Sequence, residues 1–149
     1  MRISLIAAAG LAASALAACG ESQPTLAGEW SSAELRLQHD GFDELYVFTL
    51  TIGSDEKTGV MDIVYYPTDD PSSERLIRQD LSVTKTQTEI TLAGVDPHLV
   101  SGPAVVGVYA ADTLYCDPLT AQSRNVLTCG WGSDAHGDGP QVRLDRKEG

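Results

Sequence analysis

Positive charge is scarce in this chain: 10 Lys and Arg stand against 21 Asp and Glu in 149 residues, a formal charge of −11. Proteins gain affinity for DNA and RNA by neutralising phosphates, so here that term is repulsive and nucleic acid is excluded as a partner. The same imbalance keeps the folded body from pressing onto an anionic bilayer. Catalytic signatures are also missing, with no G-x-S-x-G, H-E-x-x-H, phosphate-binding loop or dinucleotide fingerprint. His39, His98 and His136 are scattered, each beside turn residues. There is no C-x-x-C pair, fixed-period repeat or long helical pattern. The chain has the length of one domain, and 42% hydrophobic with 21% charged residues is the balance of a globular protein.

The N-terminus reads as an address. Arg2 precedes an uncharged stretch, Ile3 to Ala18, built from Ala, Leu, Ile, Gly and Ser, which is the order of a secretory signal peptide. It ends in Leu16-Ala17-Ala18-Cys19, which resembles the lipobox of bacterial lipoproteins. That resemblance implies a diacylglyceryl group on the Cys19 sulfur, cleavage before Cys19 and acylation of the new amino terminus. Two or more acyl chains hold stably where one holds marginally. Gly20 in place of Asp after that Cys implies, by the family's sorting preference, an outer membrane facing the periplasm. The expected organisation is a signal peptide at 1–18, a lipidated tether at 19–25 and a single β domain at 26–149. Losing residues 1–18, which carry Arg2 and no acid, takes the formal charge to −12 and leaves 131 residues.

Two cysteines remain, Cys116 and Cys129, each in or beside an apolar run. Export places them where disulfides persist, so a bridge tying neighbouring strands is expected rather than a redox or metal pair.

From Leu26 onward the pattern is alternation. Tyr46, Phe48, Leu50 and Ile52 share one face of Glu44–Ile52; Met61, Ile63 and Tyr65 share one face of the run from Val60 to Tyr66. The polar segment Gly53–Gly59 between them predicts a hairpin. Further strands are expected from Trp30 to Gln38, stopping at His39-Asp40-Gly41, then around Ile77, Leu81 and Val83, Ile90 and Leu92, Val105–Ala110, Leu127–Trp131, and Val142 with Leu144. Residues 72–80 fit a helix or a strand, and strand is preferred. Asp96-Pro97 predicts one helical turn at most, and Asp117-Pro118 about two turns over Leu119–Asn125. About eight short strands, with room for short helical turns, predict an all-β fold: a small antiparallel barrel or sandwich.

Gly28-Glu29-Trp30 opens the first strand, and Arg146 ends the last on the face of Val142 and Leu144. This resembles the calycin and lipocalin arrangement, in which a Gly-x-Trp strand start packs its indole beneath a basic residue of the C-terminal strand. The resemblance implies a barrel end closed by Trp30 and Arg146; a buried Trp with a solvated Arg explains the same letters.

One segment invites a metal. Asp134-Ala135-His136-Gly137-Asp138-Gly139, with Asp145 at the twelfth position, resembles the opening of an EF-hand loop, making Asp134, Asp138 and Asp145 calcium candidates. His136 replaces an oxygen ligand and Pro140 follows the Gly, as in a plain acidic turn. No other cofactor is expected.

Three functions compete. The first is a membrane-anchored, non-catalytic envelope module whose residues Tyr46, Phe48, Met61, Ile63 and Tyr65 either line an apolar cavity for a small hydrophobic ligand or simply fill the core. The second is an inhibitor of a cationic envelope-attacking enzyme, a lysozyme or protease, which the acidic body would steer onto itself. The third is an enzyme whose site assembles from distant residues.

Overall fold

The computed structural model describes residues 22–105 and 107–148; the expected signal peptide and Cys19 lie outside the described residues. Nine strands form: β1 (Gly28–Ser32), β2 (Leu35–His39), β3 (Phe42–Ile52), β4 (Thr58–Pro67), β5 (Arg75–Lys85), β6 (Ile90–Ser101), β7 (Thr113–Cys116), β8 (Val126–Trp131) and β9 (Gln141–Arg146). From β3 to β9 each pairs antiparallel with the next, β9 pairs with β1, and β1 returns to β3. The result is a closed eight-stranded barrel, and β2 is an extra strand on β3. Of barrel and sandwich, the fold is the barrel.

Closure follows from the alternation. Phe48, Leu50 and Ile52 of β3, Met61 and Ile63 of β4, Leu81 and Val83 of β5, and Ile90 and Leu92 of β6 all turn inward and are buried. Leu114 and Cys116, Leu127 and Cys129, and Val142 with Leu144 continue the wall. Eight strands leave an interior just wide enough for such side chains to fill. Cys116 and Cys129 stand directly opposite on β7 and β8 and are bridged inside the barrel.

The expected strand Trp30–Gln38 is broken at Ala33-Glu34 into β1 and β2, which run along successive stretches of β3. At the break the Ser32 hydroxyl accepts the Phe48 N–H at 2.9 Å, supplying a bond the ladder loses there. His39-Asp40-Gly41 turns as expected, with Asp40 at φ 45° and Gly41 at φ 85°, the left-handed pair a two-residue hairpin needs.

Three local expectations are corrected. Asp96-Pro97 starts no helical turn but sits inside β6 as a bulge: Val95 pairs with Asp80 and His98 with Arg78, so the two residues are left over opposite Gln79. Proline is tolerated there because a bulged residue owes the ladder no N–H. Leu119–Asn125 forms turns instead of helix, since the hydroxyls of Thr120 and Ser123 bond the local backbone and compete with helical bonding. No strand forms over the described part of 105–110, where Gly107 has φ 131° and Val108 is exposed; Thr113–Cys116 takes the place in the sheet. After Asp70 a 3-10 turn, Pro71–Ser73, leads into β5, so the expected strand holds from Arg75 on.

Candidate functional site

The two barrel ends differ in chemistry. At one end Trp30 is fully buried, and its indole N–H donates to the Leu26 carbonyl at 2.9 Å. Arg146 stands opposite Trp30 in register, with its guanidinium carbon 4.2 Å from the indole centroid. Its Nη1 donates to the Ala27 carbonyl at 2.7 Å, its Nη2 to the Thr25 carbonyl at 2.5 Å, and both Nε and Nη2 to the Arg124 carbonyl. Gly28 must be glycine here: its φ is 123°, and a Cβ would lie 3.0 Å from Arg146 Nη1. The sequence-predicted pair Trp30 and Arg146 therefore meets and seals this end.

The segment entering β1 is held by the same plug. Glu56, in the β3–β4 turn, accepts the Thr25 hydroxyl at 2.6 Å, the backbone N–H groups of Leu26 and Ala27, and the Lys85 ammonium. Burial pushes the Glu56 carboxyl up, but the bonds from Lys85, Thr25, Leu26 and Ala27 outweigh it and bring it down to about 2.

The opposite end is open and aromatic. Tyr46, Ile63, Tyr65, Ile77, Tyr109, Ala110, Asp112 and Trp131 line a cavity of about 180 Å³. Tyr46 stacks on Tyr65 with centroids 5.5 Å apart, and Trp131 meets Tyr46 edge-on at 4.9 Å and Phe48 at 5.0 Å. The Tyr46 hydroxyl donates to Glu44 at 2.5 Å. Burial, then that carboxylate, drive the Tyr46 phenol well above its ordinary value, and burial also raises Tyr65. Both stay protonated and neutral.

Beneath the cavity lies a polar knot. Gln79 is fully buried, the one polar side chain in the core of the described residues. Its Nε2 donates to Asp112 Oδ2 at 2.6 Å and its Oε1 accepts the Asp112 N–H at 2.8 Å. Asp112 Oδ1 takes the Trp131 indole N–H at 2.9 Å. Gly94 makes room: a Cβ there would stand 2.1 Å from Gln79 Oε1 and 2.8 Å from the Asp112 carbonyl oxygen. The knot fixes Asp112 and Trp131 at the cavity wall.

Of the five residues expected to line a cavity, Tyr46, Ile63 and Tyr65 do so, while Phe48 and Met61 fill the closed core below. Tyr109, Asp112, Trp131, Gln79 and Gly94 were not foreseen as site residues. One signal was readable: Gln79 occupies an inward position of the run Ile77-x-Gln79-x-Leu81-x-Val83, and a polar residue there must find a buried partner.

The calcium candidates are not gathered. Asp134 Oδ1 accepts the His136 N–H of its own turn at 3.0 Å, and Asp145 pairs with Arg143 at 2.9 Å on β9. Among the described residues no group of three His, Cys, Asp or Glu could hold a metal ion. His136 Nε2 meets Asp117 Oδ1 at 3.0 Å, with the imidazole 77% exposed and no hydroxyl or thiol among its described partners.

No protein-family model, no curated protein and no solved structure matches the chain.

Proposed function

We propose that this protein is a lipid-anchored envelope lipoprotein whose barrel is a non-catalytic binding module taking a small hydrophobic molecule at the aromatic mouth. The supporting observation is the cavity of about 180 Å³ above an otherwise filled interior. A cavity of ~150 Å³ lined by apolar side chains stays dry and takes up benzene, so this one suits a ligand of single-ring size. Aromatic walls offer large contact area at little loss of side-chain freedom.

The anchor and the mouth belong to opposite ends. A tether from Cys19 to Thr25 spans at most ~20 Å. Thr25 and Leu26 are clamped by Glu56 and Arg146 at the Trp30 end. The anchored protein thus turns its Trp30 plug toward the bilayer and its cavity into the aqueous space of the periplasm. The body's formal charge of −12 keeps it off anionic lipid.

Cys19→Ser tests the anchor, and a fluorescence titration with small aromatic and aliphatic molecules tests the cavity. The reading expects the variant to carry no acyl mass and to keep residues 1–18, and saturable changes in Trp131 emission that disappear in Trp131→Phe. A Cys19→Ser protein processed and acylated as the wild type is, or emission unmoved by every probe, contradicts it.

A further inference from the structure

The cavity wall carries a charge that the barrel itself does not neutralise. Asp112 is half-buried, and its carboxylate oxygens accept only neutral donors, the Gln79 amide and the Trp131 indole. Among the described residues it forms no ion pair, although Asp43, Glu56, Asp62 and Asp145 each hold an Arg or Lys. A carboxylate fixed against an apolar space with no cation beside it raises the free energy of the empty site. Around it stand three tyrosines and a tryptophan, whose ring faces attract positive charge. A second group also lacks a partner: among the described residues the Tyr109 hydroxyl is buried and makes no hydrogen bond. Glu44 adds negative charge at the rim through Tyr46. Arg75 lies 5.6 Å from the Tyr65 centroid and donates to the Pro103 carbonyl at 2.8 Å, and it is not among the residues that line the cavity.

Resting on the reading of this cavity as a binding site, we infer that its ligand is a small methylated ammonium compound, with the cationic head beside Tyr46, Tyr109 and Trp131 and its charge balanced by Asp112. A methylated head fits better than a bare amine. It brings no N–H groups that need acceptors, and rings outnumber free acceptors at this wall. It is also no bulkier than the benzene that a cavity of ~150 Å³ accommodates. A hydroxyl or other hydrogen-bonding group next to the head would engage the Tyr109 hydroxyl.

The test compares two probes of one shape on the full lipidated protein in maltoside detergent, which itself carries no ammonium group. Choline is the cation, and 3,3-dimethyl-1-butanol replaces its nitrogen by carbon. Calorimetric titration is expected to show choline binding at least about tenfold more tightly than the neutral isostere, and Asp112→Asn losing about that factor for choline alone. The wild-type comparison stands even if Asp112→Asn folds poorly. Equal affinity for both probes overturns the ammonium assignment while leaving a hydrophobic site in place. Binding of neither probe, with neutral aromatic probes still moving Trp131 emission, also overturns it. No binding by any probe removes the binding-site reading as well.

Discussion

Arg146 lies over Trp30 with 4.2 Å between guanidinium carbon and ring centroid, and the two residues face each other in register across β1 and β9. One side chain thereby covers the indole face and occupies the carbonyls of Thr25, Ala27 and Arg124. Arg146→Ala is expected to lower unfolding free energy by about 2–3 kcal/mol, from a lost cation–π contact and carbonyls left without donors. Arg146→Lys should recover only part of it, because an ammonium cannot reach three carbonyls in the guanidinium's plane. Urea unfolding followed at Trp30 measures both, and a loss under 0.5 kcal/mol for Arg146→Ala would contradict the plug.

Glu56 makes stability depend on acid. Its carboxyl is held at about 2 in the folded protein against 4.5 as the reference value, so its contribution is complete above about 4.5 and is lost as pH falls toward 2. Asp43, Asp55 and Asp70 are also lowered and act in the same direction. The difference between wild type and Glu56→Gln isolates the one group. At pH 7 the variant should be less stable by about 1–3 kcal/mol, and the gap should narrow steadily between pH 4.5 and 2. A gap independent of pH over that window would contradict the clamp.

The Cys116–Cys129 bridge closes a ring with a sequence separation of 13. In the chain-entropy account such a crosslink contributes about 3 kcal/mol. Replacing both cysteines by Ala should lower the guanidinium midpoint correspondingly. Near-ultraviolet circular dichroism should show the barrel still folded, since seven of the eight strand pairings around the barrel do not involve β7 with β8.

Gly94→Ala places a methyl group 2.1 Å from Gln79 Oε1. Gln79 must swing away, and the Asp112 and Trp131 bonds that depend on it loosen. The expected loss is about 1–3 kcal/mol, with a red shift of Trp131 emission as the indole gains water. An unshifted spectrum would mean the knot does not hold Trp131.

Much of the barrel was legible because its strands follow the simplest rule of sheets. Phe48, Leu50 and Ile52, or Leu127 and Cys129, alternate with outward residues, and alternation over several strands joined by turns demands a closed or doubled sheet. The Trp30–Arg146 pair was legible through a resemblance, a Gly-x-Trp opening the first strand and a basic residue ending the last, and the closing of the meander brings those two strands together. Asp96-Pro97 misled because the same dipeptide suits a helix start and a β-bulge, and only the pairing with β5 decides between them. The cavity was half legible for a similar reason. Tyr46, Ile63 and Tyr65 lie on inward registers of predicted strands, whereas Tyr109 and Asp112 belong to an irregular connection that local pattern cannot orient. Phe48 and Met61 share the inward faces of Tyr46 and Ile63 but lie deeper, and depth along a strand is set by closure, which no single segment encodes.

Native mass spectrometry of the protein extracted from its own membranes bears most directly on the account. It should give a chain beginning at Cys19 with acyl mass on that residue, carrying a small molecule that is lost on mild activation and is absent when Tyr65 and Trp131 are both replaced by Leu. A chain free of acyl mass, or a wild-type barrel that emerges empty under every extraction condition, would contradict it.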